Sequence, residues 1–589
     1  MKRSSRSLLY VLCIPLLCLL AQESRAQRTY YVDAIAGSDT GSGRSEGYAW
    51  KSVLKVNRSK FAAGDRILFR RGATWRENLV VPSSGSPGKP IVFGAYGHGA
   101  KPQILGSLDK SSANEWAPDT GNIWKSVAKF NSDVGSLIFD HENSIGWKRD
   151  TKAAVSAQGD FWFNASDGLV YLYSERNPGS YYSHIEVVTL VGPHPTPTTA
   201  NIAVSGKSYV TIQNLDIRYA GSMAVSLISD VEGITVENCD ISYIGGSYLS
   251  GTLRAGNGIQ AWNGGTDIAV RYCTFDQIYD AAMSPQGEGT YTFKRARFYY
   301  NVVKRSAYSF EFWINDATSS ADSVFFENNT CIDGGGWSAP QRKDGNVAAH
   351  IKCYGSSGTL SNIFFRNNIF YRSVTSCLYF DTYWTDAMRA AVTIDYNCFY
   401  QPAGTMIKWK YGSNYSMSQF TAYQSATGKD AHSITADPQF ASPNDFHLPP
   451  GSPCRARGAR VDLDHDFDGH TVPPMAPVDI GAFQHSEPPA PPPSSEPRGE
   501  VPRNVSLGQN YPNPFNPTTT IRYEVPTMML VSIKLYDVTG RLVRTLVNEV
   551  KDAGFYLTSI DAGGLASGVY YYCLQTGDYA EVRQCLLLK

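Results

Sequence analysis

The chain carries no excess charge of either sign: 53 Lys and Arg face 53 Asp and Glu in 589 residues. Such a balance gives no broad electrostatic footprint for nucleic acid or an anionic membrane, so attraction for a charged ligand has to be local. Beyond its first residues the sequence lacks any apolar run of the roughly 20 residues that a membrane-crossing helix needs. It has no C-x-x-C pair of the kind that holds zinc. A phosphate-cradling loop, a dinucleotide fingerprint and an H-E-x-x-H helix are also missing. Between residues 209 and 400 apolar residues at helical spacing are absent, which turns attention to patterns of period two.

Such a pattern recurs between residues 209 and 400: apolar, polar, apolar, an Asn or Tyr, then another apolar pair. It reads Val210-Thr-Ile-Gln-Asn214-Leu-Asp-Ile, Ile234-Thr-Val-Glu-Asn238-Cys-Asp-Ile and Ile268-Ala-Val-Arg-Tyr272-Cys-Thr-Phe, then returns around Tyr300, Asn328, Asn367 and Tyr396. The aligned positions lie 24 to 39 residues apart. Irregular but bounded spacing predicts a solenoid of short strands with insertions, in which each strand buries its apolar face only by stacking on its neighbours. An Asn at the strand end suits a bend, because it tolerates left-handed backbone and can bond its equivalents in a stack. The seven copies resemble the right-handed parallel β-helix repeats of the pectate-lyase-like superfamily. That resemblance implies an all-β fold for this part of the chain.

Residues 1–26 have a basic start, an apolar run and Ser24-Arg25-Ala26, and read as a secretory signal peptide. Its removal leaves nine of the 11 cysteines. An interior ladder of small apolar thiols accounts for Cys239 and Cys273, at one position in consecutive repeats, better than disulfides or metal ligands. Residues 27–106, with Gly64-Asp-Arg-Ile-Leu-Phe69 and Gly85-Ser-Pro-Gly-Lys-Pro, resemble the opening coils of secreted bacterial β-helix proteins. Families with that opening often carry a small β-sandwich insertion, and residues 107–195, where the repeat is lost, look like one. Repeats and a closing cap occupy 196–487. A Pro-rich linker, 488–504, precedes a second domain at 505–589. There, Leu507-Gly-Gln-Asn-Tyr-Pro-Asn-Pro-Phe, Leu535-Tyr-Asp-Val-Thr-Gly540 and Gly568-Val-Tyr-Tyr-Tyr-Cys573 are similar to the type IX secretion sorting domain and to an immunoglobulin-like relative in flagellar-hook capping proteins. The resemblance implies a β-sandwich, export to the surface and the outer-membrane secretion machinery as a partner.

Chemistry is expected on one face of the coils. With Ile259 and Ala261, Phe310 and Phe312, Ile351 and Cys353, Leu378 and Phe380, and Ile407 and Trp409 inward, the alternate residues must point outward. These are Gln260 and Trp262, Glu311 and Trp313, His350 and Lys352, Tyr379 and Asp381, and Lys408 and Lys410. Aromatics interleaved with charges suit a sugar chain, whose rings have apolar faces and hydroxyl edges. A loop packed over the Trp pair, such as 317–323 or 333–347, is the competing account. Two reactions are open. Glu311 and Asp381, two coils apart and about 9 to 10 Å along the stack, could be acid and base of a glycosidase. In a uronate chain, Lys352 or His350 could abstract a proton, Lys408 or Lys410 could hold the substrate carboxylate, and Tyr379 or Tyr354 could be the acid. A plain ion-pair ladder of Glu311, Lys352 and Asp381, on a polysaccharide-binding adhesin without catalysis, is the rival. Asp464, Asp466 and Asp468 match the first half of a calcium loop, although Met475 stands where Glu is expected. No other cofactor is suggested. The basic cluster Lys294, Arg295, Arg297, Lys304 and Arg305 reads as a solvated strand edge.

Overall fold

The structure, a computed structural model, describes residues 27–485 and 504–587 apart from 193–197, 338, 343–346, 411, 473–476, 511–512, 514, 516–517 and 578. The expected signal peptide, the Pro-rich linker and Met475 lie outside the described residues. The chain divides into two compact units, 1–486 and 487–589.

The first unit is built on three sheets of ten strands each, all but one of whose pairings are parallel. Successive coils contribute one strand to each sheet, as in Gly265–Arg271 of the first, Thr274–Ile278 of the third and Ala281–Gln286 of the second. This is a parallel β-helix. Each sequence repeat is a strand of the first sheet, a one-residue bend and a strand of the third sheet. All seven aligned positions, Asn214, Asn238, Tyr272, Tyr300, Asn328, Asn367 and Tyr396, have φ between 50 and 58°. Left-handed backbone at this point of each coil favours Asn there.

The amide stack runs mainly one residue later. Asn301 donates from Nδ2 to Oδ1 of Asn329 at 3.0 Å, Asn329 to Asn368 at 3.1 Å and Asn368 to Asn397 at 3.1 Å. All four are fully buried. Cys239 and Cys273 occupy that same position in the earlier coils, where the interior is apolar. All nine described cysteines are free, and eight are buried.

Inside the coils the inward set is Val, Ile, Phe, Leu and Cys, forming one continuous core from Tyr30 to Tyr423. Between the strand Gln103–Leu105 and the strand Ala200–Ser205 the chain leaves the helix. It forms a four-stranded and a five-stranded sheet with their own core of Phe139, Phe161, Leu172 and Val187. The second unit packs a three-stranded and a four-stranded antiparallel sheet around Ile521, Ile533, Tyr572 and Leu574. No helix among the described residues is long and apolar enough to cross a membrane.

Candidate functional site

Six neighbouring strands of the second sheet position the candidate residues: β1 (Ile259–Trp262), β2 (Ala281–Gln286), β3 (Tyr308–Trp313), β4 (Ala349–Tyr354), β5 (Ser376–Phe380) and β6 (Ile407–Lys410). All ten residues expected to face inward are buried. The outward residues form two columns along the stack. In the first, Gln260 pairs with Ser284, Glu311 with Lys352, Lys352 with Tyr379 and Tyr379 with Lys408. In the second, Trp262 pairs with Gln286, Gln286 with Trp313 and Trp313 with Tyr354, and Asp381 follows the end of β5.

Trp262 and Trp313 are therefore not on adjacent strands as the alternation suggested: β2 stands between them. Its Pro285 hides it from sequence reading, because a proline inside a sheet strand forfeits a ladder donor. The two rings still meet over Gln286, with centroids 6.0 Å apart, and Trp313 stacks on Tyr354 at 5.6 Å and 4°. Neither tryptophan is buried. Of the segments proposed to cover them, 320–323 belongs to a first-sheet strand. The other docks Trp337 and Arg342 on Gln277 and Asp280, at the opposite end of the strands.

His350 is the clear correction to the outward set. It is 0 % exposed, its Nδ1 lies 3.1 Å from Ser309 Oγ, its Nε2 lies 2.9 Å from the Arg372 carbonyl, and its ring stacks on Phe370 at 5.8 Å. Burial pushes its pKa down to about 4 in spite of the two carbonyl contacts. The alternation breaks where β3 and β4 leave the corner of the coil. Ser309 and His350 turn into the core, and Tyr308, fully buried, packs in a separate small cluster against Tyr379.

Glu311 keeps the outward parity yet is only 4 % exposed, set into the wall rather than standing on it. Its Oε2 accepts from Ser284 Oγ at 3.1 Å. Burial first, and the charge of Asp280 second, push its carboxyl up to about 7 against the pull of Lys352, Arg342 and a Tyr354 hydrogen bond. Asp280 is itself paired with Arg342 at 2.7 Å. Lys352 donates to Tyr308 Oη at 3.2 Å, and its Nζ lies 4.9, 5.0 and 5.4 Å from the ring centroids of Tyr308, Tyr354 and Tyr379. A cation so placed is held by ring quadrupoles in place of water. Lys408 lies 5.0 Å from the Tyr379 ring, and burial lowers its pKa. Lys410 is exposed.

Asp381 is two coils from Glu311 but in the other column, which places the backbones about 12 Å apart by strand and residue spacing. Its Oδ1 accepts from the Tyr383 N–H at 3.2 Å and the Thr382 hydroxyl at 3.1 Å, closing the turn after β5. Asp280, Arg342 and Ser284 around Glu311, and Tyr308 beside Lys352, escape sequence reading. Asp280 ends a bend, Arg342 arrives from a distant loop, Tyr308 shares a parity with core residues, and Ser284 lies on the strand that Pro285 conceals.

The expected calcium loop is closed by other means in its described part. Asp466 is fully buried, and its carboxylate accepts from the N–H groups of Asp468, His470 and Gln484 at 3.0, 2.7 and 2.9 Å. Asp468 accepts from His447 Nε2 at 2.7 Å, and Asp464 is exposed. Asp466, Asp468 and His470 do offer atoms within 4.8 Å of one another. An imidazole and a carboxylate committed to amides are nevertheless not the all-oxygen set that calcium takes. Chelator or added calcium is expected to leave the thermal melt unchanged, and a rise in melting temperature with calcium would reverse that reading. The basic cluster is paired on the surface, Arg295 with Asp267, Arg297 with Glu327, and Lys304 and Arg305 with Asp276.

The fold and wall thus define a parallel β-helix with a polar and aromatic face. Residues 509–587 match the secretion system C-terminal sorting domain family. The protein carries a type IX sorting tail and is exported through the outer membrane, to be secreted or held at the cell surface. No curated protein sequence matches the chain. Among solved structures it is similar to a GH136 lacto-N-biosidase from Eubacterium ramulus (TM-score 0.36, 17% identity, covering 64% of this chain and 61% of that one). It is also similar to XylC in complex with xylose (0.32, 12%, 77% and 98%). A mannuronic acid specific polysaccharide family 6 lyase from human gut microbiota scores 0.24 at 10% identity, covering 65% of this chain and 77% of that one. The chain spans about 61% of the length of the first of these.

Proposed function

We propose that this is a secreted carbohydrate-active β-helix protein of the pectate-lyase-like kind, which hydrolyses a polysaccharide lying along the wall of the second sheet. The observation that carries the reading is Glu311, a carboxyl held at about 7 by burial and by Asp280, beside an open strip of Trp262, Trp313 and Tyr354. A carboxyl that keeps its proton near neutrality can donate it to a glycosidic oxygen as the bond to the anomeric carbon breaks. Water then adds to that carbon and gives its proton to a second carboxylate. Asp381, beyond Lys352, is the candidate for that carboxylate. Asp280 and Arg342 act through Glu311 as positioning groups.

A second reading is favoured by Lys352 between Tyr308 and Tyr379 with Lys408 alongside: β-elimination from a uronate, with a lysine or tyrosine taking the proton beside the carboxylate. Incubation with neutral and acidic polysaccharides separates the outcomes. New reducing ends alone mean hydrolysis, unsaturated-uronate absorbance means elimination, and binding without product makes the protein an adhesin.

Trp313→Ala is expected to raise KM or Kd by about tenfold, since loss of an aromatic platform costs roughly 1 kcal/mol or more. Its melt should move little, because the ring is not buried. A collapse of folding would place Trp313 in the core. Deleting 505–589 is expected to leave the β-helix melting cooperatively, since each unit has its own core. The truncated protein should be stranded in the periplasm. Normal surface delivery would show that the tail is not the export signal.

A further inference from the structure

The inserted sheets hold a concavity that the wall chemistry does not use. It has a volume of about 490 Å³, within the range that small ligands occupy. One side is formed by Trp162 and Phe163 of the strand Asp160–Asn164, and the other by Tyr248 of the hairpin Ser247–Ser250 and Leu253–Ala255, which the β-helix itself supplies. Trp162 and Phe163 are both partly open, and Tyr171, 5.3 Å from the Trp162 ring, fixes its orientation.

The polar lining is built from charges of both signs. Two cations, Lys148 and Arg149, share it with two carboxylates, Asp133 and Asp150, and Arg149 is also paired with Asp160 behind it at 2.7 Å. Lys148 is buried, pairs with Asp133 and lies 4.5 Å from the Tyr248 ring centroid. Asp133 also accepts the Tyr248 N–H at 2.6 Å, while the Tyr248 hydroxyl donates to Asp150 at 2.8 Å. These bonds tie the insertion to the hairpin. They leave a lining with apolar ring faces, fixed donors and acceptors and charges of both signs.

A ligand with its own charge would face both signs at once. An apolar ligand would strip water from the carboxylate and guanidinium without replacing it. A neutral sugar has an apolar ring face for Trp162 and hydroxyl edges for Asp150 and Arg149. We propose that this concavity is a second carbohydrate site, binding a short neutral glycan without cleaving it.

One short segment links it to the wall. The Lys148 N–H donates to Gln341 Oε1 at 3.2 Å and Arg254 to the Gln341 carbonyl at 3.3 Å, and the next residue, Arg342, pairs with Asp280 at 2.7 Å. Two consecutive residues thus connect the lining of the pocket to the charge that tunes Glu311. A glycan held here would be tethered near the wall rather than at a remote appendage.

Calorimetric titration of the full mature chain with xylobiose, cellobiose, galactobiose and digalacturonate tests the proposal. At least one neutral disaccharide is expected to bind. Trp162→Ala and Asp150→Ala should each weaken that binding by about tenfold or more and leave cleavage of a short substrate unchanged. Glu311→Gln and Trp313→Ala should not alter it. Asp150 is exposed, so its variant remains informative if Trp162→Ala fails to fold. Absence of neutral disaccharide binding, preference for digalacturonate, or binding lost in Trp313→Ala but kept in Trp162→Ala would overturn the proposal. None of those results would touch the assignment of Glu311, which rests on cleavage.

Discussion

Glu311→Gln should lower polysaccharide cleavage by about 10²- to 10⁴-fold, the usual worth of a general acid, with little change in substrate affinity. The amide keeps the shape and can still meet Ser284 Oγ, 3.1 Å from Oε2 in the native protein, but has no proton to give. The same variant reports through stability. The folded carboxyl sits at about 7, above its ordinary 4.5, so its protonated form favours folding. That contribution is complete below the unfolded pKa and is lost as pH rises through about 7. The wild-type melting temperature should therefore fall between pH 5 and 8 more steeply than that of Glu311→Gln. The difference is on the order of 3 kcal/mol for a rise of this size. Asp430, raised to about 6 mainly by burial, slopes in the same direction in both proteins and cancels in the comparison. Identical pH profiles, or full activity in Glu311→Gln, would take the proton donor away from this residue.

Asn368→Leu should be the most destabilising single change in the coils. The Asn368 Oδ1 accepts from the N–H and Nδ2 of Asn329 at 3.0 and 3.1 Å, and its Nδ2 reaches the Phe326 carbonyl at 2.9 Å and Asn397 Oδ1 at 3.1 Å. Leucine takes these partners from the Asn329 N–H and the Phe326 carbonyl, while Asn397 Oδ1 keeps the backbone N–H of residue 368 and Asn329 Nδ2 keeps the Phe298 carbonyl. At about 1 to 3 kcal/mol for each orphaned group, a loss of roughly 3 to 5 kcal/mol is expected. Chemical denaturation of the β-helix, read separately from the C-terminal unit, measures it. A loss under about 1 kcal/mol would mean that the coils relax around the gap and that the ladder is not a stabilising chain. Replacing Asn367, which has φ 57° and bonds Asn328, tests the bend instead.

These two residues mark how far the sequence could be read. Asn368 sits one place after an Asn that every aligned copy matches with Asn or Tyr, so the stack and the bend were visible as pattern, although the heavier share of bonding fell to the second Asn. For Glu311, alternation placed the side chain on the correct face but not at the correct depth. Its pKa depends on Asp280 and Arg342, each 31 residues from it in the sequence and on opposite sides of it. His350 shows the limit of periodicity: one irregular residue at a coil corner reverses its direction, as any slip of one residue does in a strand. β2 is hidden in the sequence because a lone Pro285 outweighs its neighbours in any local pattern, while in the stack its missing N–H costs one bond among many.

The sequence by itself determined the repeat, the parity of the inward residues, the left-handed bends and the sorting tail, because each of these is a local requirement of a strand, a turn or a recognition motif. Only the tertiary structure decided which polar residues share a rung, how deeply Glu311 is set, and that His350 belongs to the core. It also decided that the inserted sheets and the hairpin at 247–255 enclose a second concavity. Those properties arise between coils and between segments distant in the chain, where burial and neighbouring charge are set by stacking order, and no one-dimensional pattern records that order.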